Sequence, residues 1–139
     1  MSIAVLGYGT VGRSVTESLA ARGDPVRVIQ RSRPATLPEG VAFAPADAVT
    51  GAGLAEAMGD AQTLGLPYSG KVFRRDWPRV AQSCLDACAR SGARFLLADN
   101  LYMYGPQTPP LSEDMPLDGG GNKPWARAEV TRLWQAAHA

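Results

Sequence analysis

The sequence predicts an α/β domain built on a doubly wound parallel sheet. Three observations lead there. An apolar run, Ile3 to Leu6, ends in glycines at Gly7, Gly9 and Gly12. A helical segment follows, with Val11, Val15 and Leu19 at i, i+4 and i+8. Val26-Arg27-Val28-Ile29-Gln30 then reads as a second strand. Strand, helix and strand within about thirty residues make a βαβ unit, whose strands run parallel with a right-handed crossover.

The glycines have the G-x-G-x-x-G spacing, and each has a physical task in a turn that holds a dinucleotide. Gly7 makes the tight bend, Gly9 leaves room for a pyrophosphate against backbone, and Gly12 lets the helix pack closely on the strand. The helix then points its unpaired N–H groups and positive dipole end at the phosphates. Gly7, Tyr8, Gly9, Thr10, Val11 and Gly12 are therefore candidate cofactor-binding residues. The alternative is a glycine-rich turn without a ligand.

The chain of 139 residues suits one domain, and with 45% hydrophobic residues it can bury a core. A net charge of +1 gives no reason to expect nucleic acid or an anionic membrane as partner. No apolar run approaches the roughly 20 residues of a membrane span, and the chain enters a strand at once, so no signal peptide is expected. Cys84 and Cys88 lie one helical turn apart and read as small core residues rather than a disulfide or metal site. No metal-ligand cluster stands out. The expected compartment is the cytoplasm.

The first helix should run to about Arg22 and stop at Gly23. The end of the second strand bears on cofactor choice. A site that prefers NAD places Asp or Glu there for the ribose 2′-hydroxyl. This chain has Gln30-Arg31-Ser32-Arg33 instead. Arg31 and Arg33 can bind a 2′-phosphate and Ser32 can add a hydroxyl donor, which points to NADP, with NAD as the alternative cofactor. The competing reading is that both arginines are solvated loop charges.

Val41-Ala42-Phe43-Ala44 reads as a third strand. Asp47 after it either accepts hydrogen bonds from an adenine amino group or caps the next turn. Thr50 to Met58 reads as a weak helix, and Ala61 to Leu66 as a fourth strand that Gln62 and Gly65 interrupt. Leu64, Gly65 and Leu66 form a candidate cofactor wall. Pro67 to Arg75, with Tyr68, Lys71, Arg74 and Arg75, reads as a basic lid loop, and Asp76 as a helix N-cap. From Trp77, the stripe Val80, Ala81, Cys84, Leu85, Cys88 has helical spacing and ends at Gly92. Ala93 to Ala98 is a fifth strand whose apolar run suits a sheet covered on both faces. Asp99, Asn100, Tyr102 and Tyr104 leave its carboxyl end, where open α/β sheets bind ligands. A last helix starts near Pro124, with Trp125, Val130, Leu133, Trp134 and Ala137 on its apolar side.

Four features now resemble a known family: the Gly7-x-Gly9-x-x-Gly12 motif, the Arg33-Pro34 loop, Asp47, and the run Ala98-Asp99-Asn100-Leu101-Tyr102-Met103-Tyr104-Gly105-Pro106 followed by Leu111-Ser112-Glu113-Asp114-Met115-Pro116. That run is similar to a strand-end V-Y-G segment with a T-E-D-x-P continuation. The chain resembles the N-terminal part of an extended short-chain dehydrogenase/reductase, in the NAD-dependent epimerase/dehydratase group. The resemblance implies that residues 1–139 are an NAD(P)-binding Rossmann domain with strand order 3-2-1-4-5 and without a C-terminal substrate domain, either as a fragment or as a naturally minimal form. It also implies a homodimer through helices 76–91 and 123–138, and a Ser/Thr–Tyr–Lys catalytic set.

This chain departs from that set. Asn100 takes the Ser/Thr position, four residues before Tyr104. If Lys123 is the lysine, Gly119 stands where the tyrosine belongs; aligned through Glu129, Gly121 and Trp125 replace tyrosine and lysine. A glycine transfers no proton. Asn100, Tyr102 and Lys123 are then the candidate catalytic groups beside a nicotinamide, in an atypical member. Two readings follow. One is an NAD(P)-dependent oxidoreductase or epimerase/dehydratase-like protein acting on a small carbonyl or sugar-type substrate. The other is a non-catalytic NADP-binding or dimerising module, with a scaffold that binds nothing as the blandest case.

Overall fold

A computed structural model describes residues 2–66, 73–118 and 120–138. The elements run β1 (Ile3–Leu6), α1 (Thr10–Ala21), β2 (Val26–Gln30), β3 (Ala42–Pro45), α2 (Leu54–Met58), β4 (Thr63–Leu66), α3 (Phe73–Ser91), β5 (Arg94–Leu97), a 3₁₀ turn at Leu101–Tyr104, and α4 (Asn122–His138). The five strands form one parallel sheet in the order β3-β2-β1-β4-β5. This is the doubly wound arrangement that the sequence predicts.

Alternation along the strands sorts the core into two layers. Ala4, Leu6 and Ile29 point to the face covered by α2, α3 and α4, where Leu54, Met58, Trp77, Val80, Cys84, Ala126 and Val130 are buried with them. Val5, Val26, Val28 and Val41 point to the other face, with Leu19 and Ala20 of α1 packed against them.

The buried line of α1 is not its valine stripe. Gly12 and Thr16 are buried, whereas Val11 is 51% and Val15 42% exposed. A residue without a side chain at Gly12 suits a buried position on this line. The Thr16 hydroxyl satisfies itself on the Gly12 carbonyl at 2.7 Å. At the other end of α1, Gly23 has φ +79°. Its N–H donates to the Ala20 carbonyl at 2.9 Å, and the Asp24 N–H to the Leu19 carbonyl at 3.1 Å. These are the two bonds of a Schellman cap, which needs the left-handed backbone that glycine adopts without strain.

Several expected elements shift. The helix read over Thr50 to Met58 shortens to Leu54–Met58, because Gly51 and Gly53 lie in its expected first turns and glycine is a poor helix former. The third and fourth strands begin later than read, at Ala42 and Thr63, and α4 begins two residues before Pro124. Asp76 is not the N-cap of α3, which starts at Phe73. It sits in the first turn, where the Arg75 guanidinium donates to its carboxylate at 2.6 Å and holds its pKa below the ordinary value. Ala137 is exposed rather than on the apolar side of α4.

The fifth strand is the largest correction. It is not covered on both faces. Phe95 and Leu97 pack toward α3 and α4, but Leu96 on the opposite face is 60% exposed. Val28, Val5, Gly65 and Leu96 form one row across the sheet. Among the described residues α1 is the helix on that face, packed over β1 and β2, with Tyr8 and Leu37 of the flanking loops beside the same cluster. The row therefore runs out from under its helix before it reaches β5.

Candidate functional site

The order of the strands reverses at β1. The chain moves outward from β1 to β2 and β3, then crosses to β4 and β5 on the other side. The crevice beyond the carboxyl ends of β1 and β4 is thus the switch point, where open α/β sheets bind ligands. Gly7 to Gly9 follow β1 there.

Backbone and one side chain hold this turn. The Gly7 N–H donates to the Ile29 carbonyl at 2.8 Å, with Gly7 at φ +93°. That bend is open to glycine and strained for other residues. The Tyr8 N–H donates to Oε1 of Gln30 at 2.9 Å, and Nε2 of Gln30 donates to the Ser32 carbonyl at 2.7 Å. Gln30 thus ties the glycine turn to the loop after β2. An amide can do this because it accepts and donates at once; a carboxylate only accepts. Sequence reading noted Gln30 only as a missing carboxylate. Its place one residue beyond the Leu6–Ile29 pair is the signal that points to the turn.

Gly9 is the N-cap of α1. Its carbonyl accepts from the Arg13 N–H at 2.8 Å, no side chain caps the helix, and its first turn carries no acid. The leading N–H groups of this 12-residue helix therefore have no side-chain cap and no acidic residue in their first turn. A Cβ built on Gly9 would meet nothing within 4 Å, and its φ of −81° suits any residue. The fold does not require glycine at this position. The space above it is what its absence of side chain preserves.

The other predicted cofactor residues fall as follows. Arg31, Ser32 and Arg33 are exposed at the end of β2, and the Arg33 guanidinium lies 5.6 Å from the centre of the Phe43 ring. Asp47 Oδ1 accepts the Val49 N–H at 2.8 Å, so that oxygen caps the following turn. Gly65 lies in β4 beside Val5, with the Ala4 carbonyl 3.9 Å from where its Cβ would be. Leu64 and Leu66 are in the same strand. Tyr68 and Lys71 of the expected lid, and Gly119, lie outside the described residues.

At the end of β5, Asn100 caps the 3₁₀ turn. Its Oδ1 accepts the Tyr102 N–H at 3.0 Å, and its own N–H donates to Oδ1 of Asp99 at 2.8 Å. Tyr102 is 54% exposed. Lys123 is exposed in the first turn of α4. The 3₁₀ turn and α4 pack against each other, but no hydrogen bond or ion pair among the described residues joins Lys123 to Asn100 or Tyr102. Trp125, at the position the resemblance gives to lysine in one alignment, is partly buried against the core.

An ion pair between a buried arginine and a partly exposed aspartate supports this end of the site. Nη1 of Arg127 donates to Oδ1 of Asp99 at 2.6 Å, with side-chain exposures of 7% and 19%. The same guanidinium lies 4.5 Å from the ring centre of Trp77, which is fully buried. Burial lowers the Arg127 pKa from its ordinary value; the Asp99 carboxylate and the Tyr102 phenol oppose that shift. Sequence reading missed Arg127. The available signal was a charge on the stripe Arg127, Val130, Trp134, which otherwise faces the core.

A cavity of about 730 Å³ lies apart from the glycine turn, at the open edge of β5, lined among others by Leu85, Phe95, Leu97, Met103 and Trp134. Cys88 also lines it, and burial pushes its thiol up to about 11. Cys84, more deeply buried, is pushed up further. Both are free thiols that behave as core packing.

Strand order, switch point and glycine turn together define a doubly wound domain of the Rossmann-type fold class. No family model matches the chain, and no curated protein matches it by sequence. Solved structures do share its fold. UDP-glucuronic acid 4-epimerase from Bacillus cereus, in complex with NAD, aligns over 99% of this chain and 52% of its own, with a TM-score of 0.79 and 21% identity. UDP-glucose 4-epimerase from Thermus thermophilus, also with NAD, aligns over 98% and 50%, with a TM-score of 0.82 and 19% identity. A short-chain dehydrogenase/reductase superfamily protein from Agrobacterium tumefaciens with bound NAD aligns over 98% and 44%, with a TM-score of 0.79 and 23% identity. The chain thus has the fold of a part of these enzymes and spans about half their length. Among the described residues, no helix is long and apolar enough to cross a membrane.

Proposed function

We propose that this chain binds a nicotinamide dinucleotide, NADP in preference to NAD, as the cofactor portion of an oxidoreductase or epimerase/dehydratase-like protein of the short-chain dehydrogenase/reductase type. The carrying observation is the uncapped N-terminus of α1 behind an unfilled Gly9. It supports a pyrophosphate against backbone N–H groups. The substrate class is a small carbonyl or sugar-type compound, in keeping with the sugar-nucleotide epimerases that share the fold. When bound, the cofactor supplies hydride transfer. The chain's own residues would hold it: Gly7 to Gly12 at the pyrophosphate, Arg31, Ser32 and Arg33 at the 2′-phosphate, and Asp47 beside the adenine through the oxygen that does not cap Val49. Asn100 would donate from its amide nitrogen beside the nicotinamide, and Tyr102 and Lys123 are the groups proposed to move protons there. Cytoplasmic location is part of the same reading.

Calorimetry with NADPH and NADH tests the cofactor reading. NADPH is expected to bind about tenfold more tightly or better, worth about 1.4 kcal/mol, and the pair R31A plus R33A is expected to abolish that margin. Equal affinities would remove the NADP preference, and binding of neither would remove the proposal.

A second reading, a non-catalytic NADP-binding or dimerising module, draws on Trp125, whose ring packs against the core and cannot transfer a proton. It requires that bound NADPH is never consumed, whatever carbonyl compound is offered. A homodimer through helices 76–91 and 123–138 belongs to both readings. Among the described residues, the large apolar side chains left exposed lie elsewhere, at Val11, Val15, Leu96, Leu101, Tyr102 and Leu111. The interface would therefore be polar and salt-sensitive. Sedimentation equilibrium showing a monomer at every salt concentration would dismiss it.

A further inference from the structure

We propose that Arg127 is a positioning residue: through Asp99 it holds the turn that carries Asn100 and Tyr102 against the α3–α4 layer. The contacts form a continuous path. Trp77 of α3 lies under the guanidinium of Arg127 on α4. Arg127 donates to Oδ1 of Asp99. The same oxygen accepts the Asn100 N–H. Oδ1 of Asn100 accepts the Tyr102 N–H. One carboxylate oxygen is thus shared between a helix of the core and the first backbone donor of the site.

Arginine suits this place because its planar group does two tasks. Its face stacks on an aromatic ring while its edge donates to a carboxylate. An ammonium is a point charge and does one of these well. The arrangement is also an uneconomical way to gain stability. An apolar residue of similar volume in place of a buried ion-pair member often leaves a domain equally stable when the pair as a whole is replaced. What an apolar residue cannot do is hold the Asp99 oxygen in the position from which it orders the turn. For the role of Asn100 and Tyr102 beside a nicotinamide, this inference rests on the dinucleotide reading above; the mechanical tie does not.

The experiment measures hydrogen exchange by NMR on the full chain, in R127M, R127K, D99A and D99N. The Gly7 and Tyr8 amides, held by Ile29 and Gln30, are the internal reference for global opening. Exchange at Asn100 and Tyr102 is expected to speed by about tenfold or more in R127M and D99A, with the reference amides unchanged. R127K should restore part of the protection, and D99N, which keeps an acceptor oxygen, most of it. With NADPH bound, R127M should lose most of the enhanced dihydronicotinamide fluorescence while 2′-phospho-ADP-ribose binds within about twofold of wild type.

Acceleration shared equally by all four amides would mean a merely structural role, and unchanged Asn100 and Tyr102 amides in D99A would mean no tie; either overturns the inference. Should R127M not fold, D99A decides, since Asp99 is partly exposed. If the wild type binds no dinucleotide, the proposed function falls while the exchange pattern still judges the tie.

Discussion

On the proposed cofactor reading, Gly9→Val is expected to leave the domain folded and to weaken dinucleotide binding strongly. A Cβ at this position meets no atom within 4 Å, and its backbone, at φ −81°, is one that valine also adopts. The cost to stability is therefore limited to the weaker N-cap, a few tenths of a kcal/mol to about 1 kcal/mol. The added methyl groups enter the space over the first N–H groups of α1, where a pyrophosphate would lie. The expected loss of affinity for NADPH and NADH is on the order of 100-fold, about 2.7 kcal/mol. Thermal unfolding and calorimetry on the same sample check both halves. Unchanged affinity would place the nucleotide elsewhere. A large fall in the unfolding midpoint would show that glycine serves the fold after all.

Trp77→Ala is expected to have the largest effect on stability. Trp77 is fully buried in the layer between the sheet and α3 and α4, and it carries the Arg127 guanidinium on its ring face. Truncating a buried tryptophan costs about 3–5 kcal/mol through lost transfer energy and the cavity left behind. The lost ring also leaves a desolvated cation with one partner fewer. Against a total of about 5–15 kcal/mol for a domain, that takes roughly a fifth or more of the stability. Denaturant unfolding should show a lower midpoint with little change in slope. A loss under about 1 kcal/mol would mean that the core there collapses around the gap.

Much of the frame was legible along the chain. Short apolar runs separated by glycine and proline marked all five strands, because strand formation here depends on local apolar content and on clear breaks. The glycine turn was legible for the same reason: its spacing reflects backbone constraints within a dozen residues. Features set by neighbours across the sheet were not. Val11, Val15 and Leu19 have helical spacing, yet Val11 and Val15 are exposed while Gly12 and Thr16 are buried. The apolar run of β5 suggested two covered faces, yet Leu96 lies beyond the reach of α1. Spacing tells which residues share a face; it does not tell how far a covering helix extends.

The sequence by itself determined the parallel sheet, its order through the resemblance, and a glycine bend between β1 and α1, since these follow from local periodicity and from glycines at set intervals. Only the tertiary structure decided that Gln30 fastens the bend and that Arg127 reaches Asp99 from 28 residues away. A single hydrogen bond between distant residues leaves no periodic trace in a chain. It exists only once the sheet and the α3–α4 layer have brought its partners within about 3 Å.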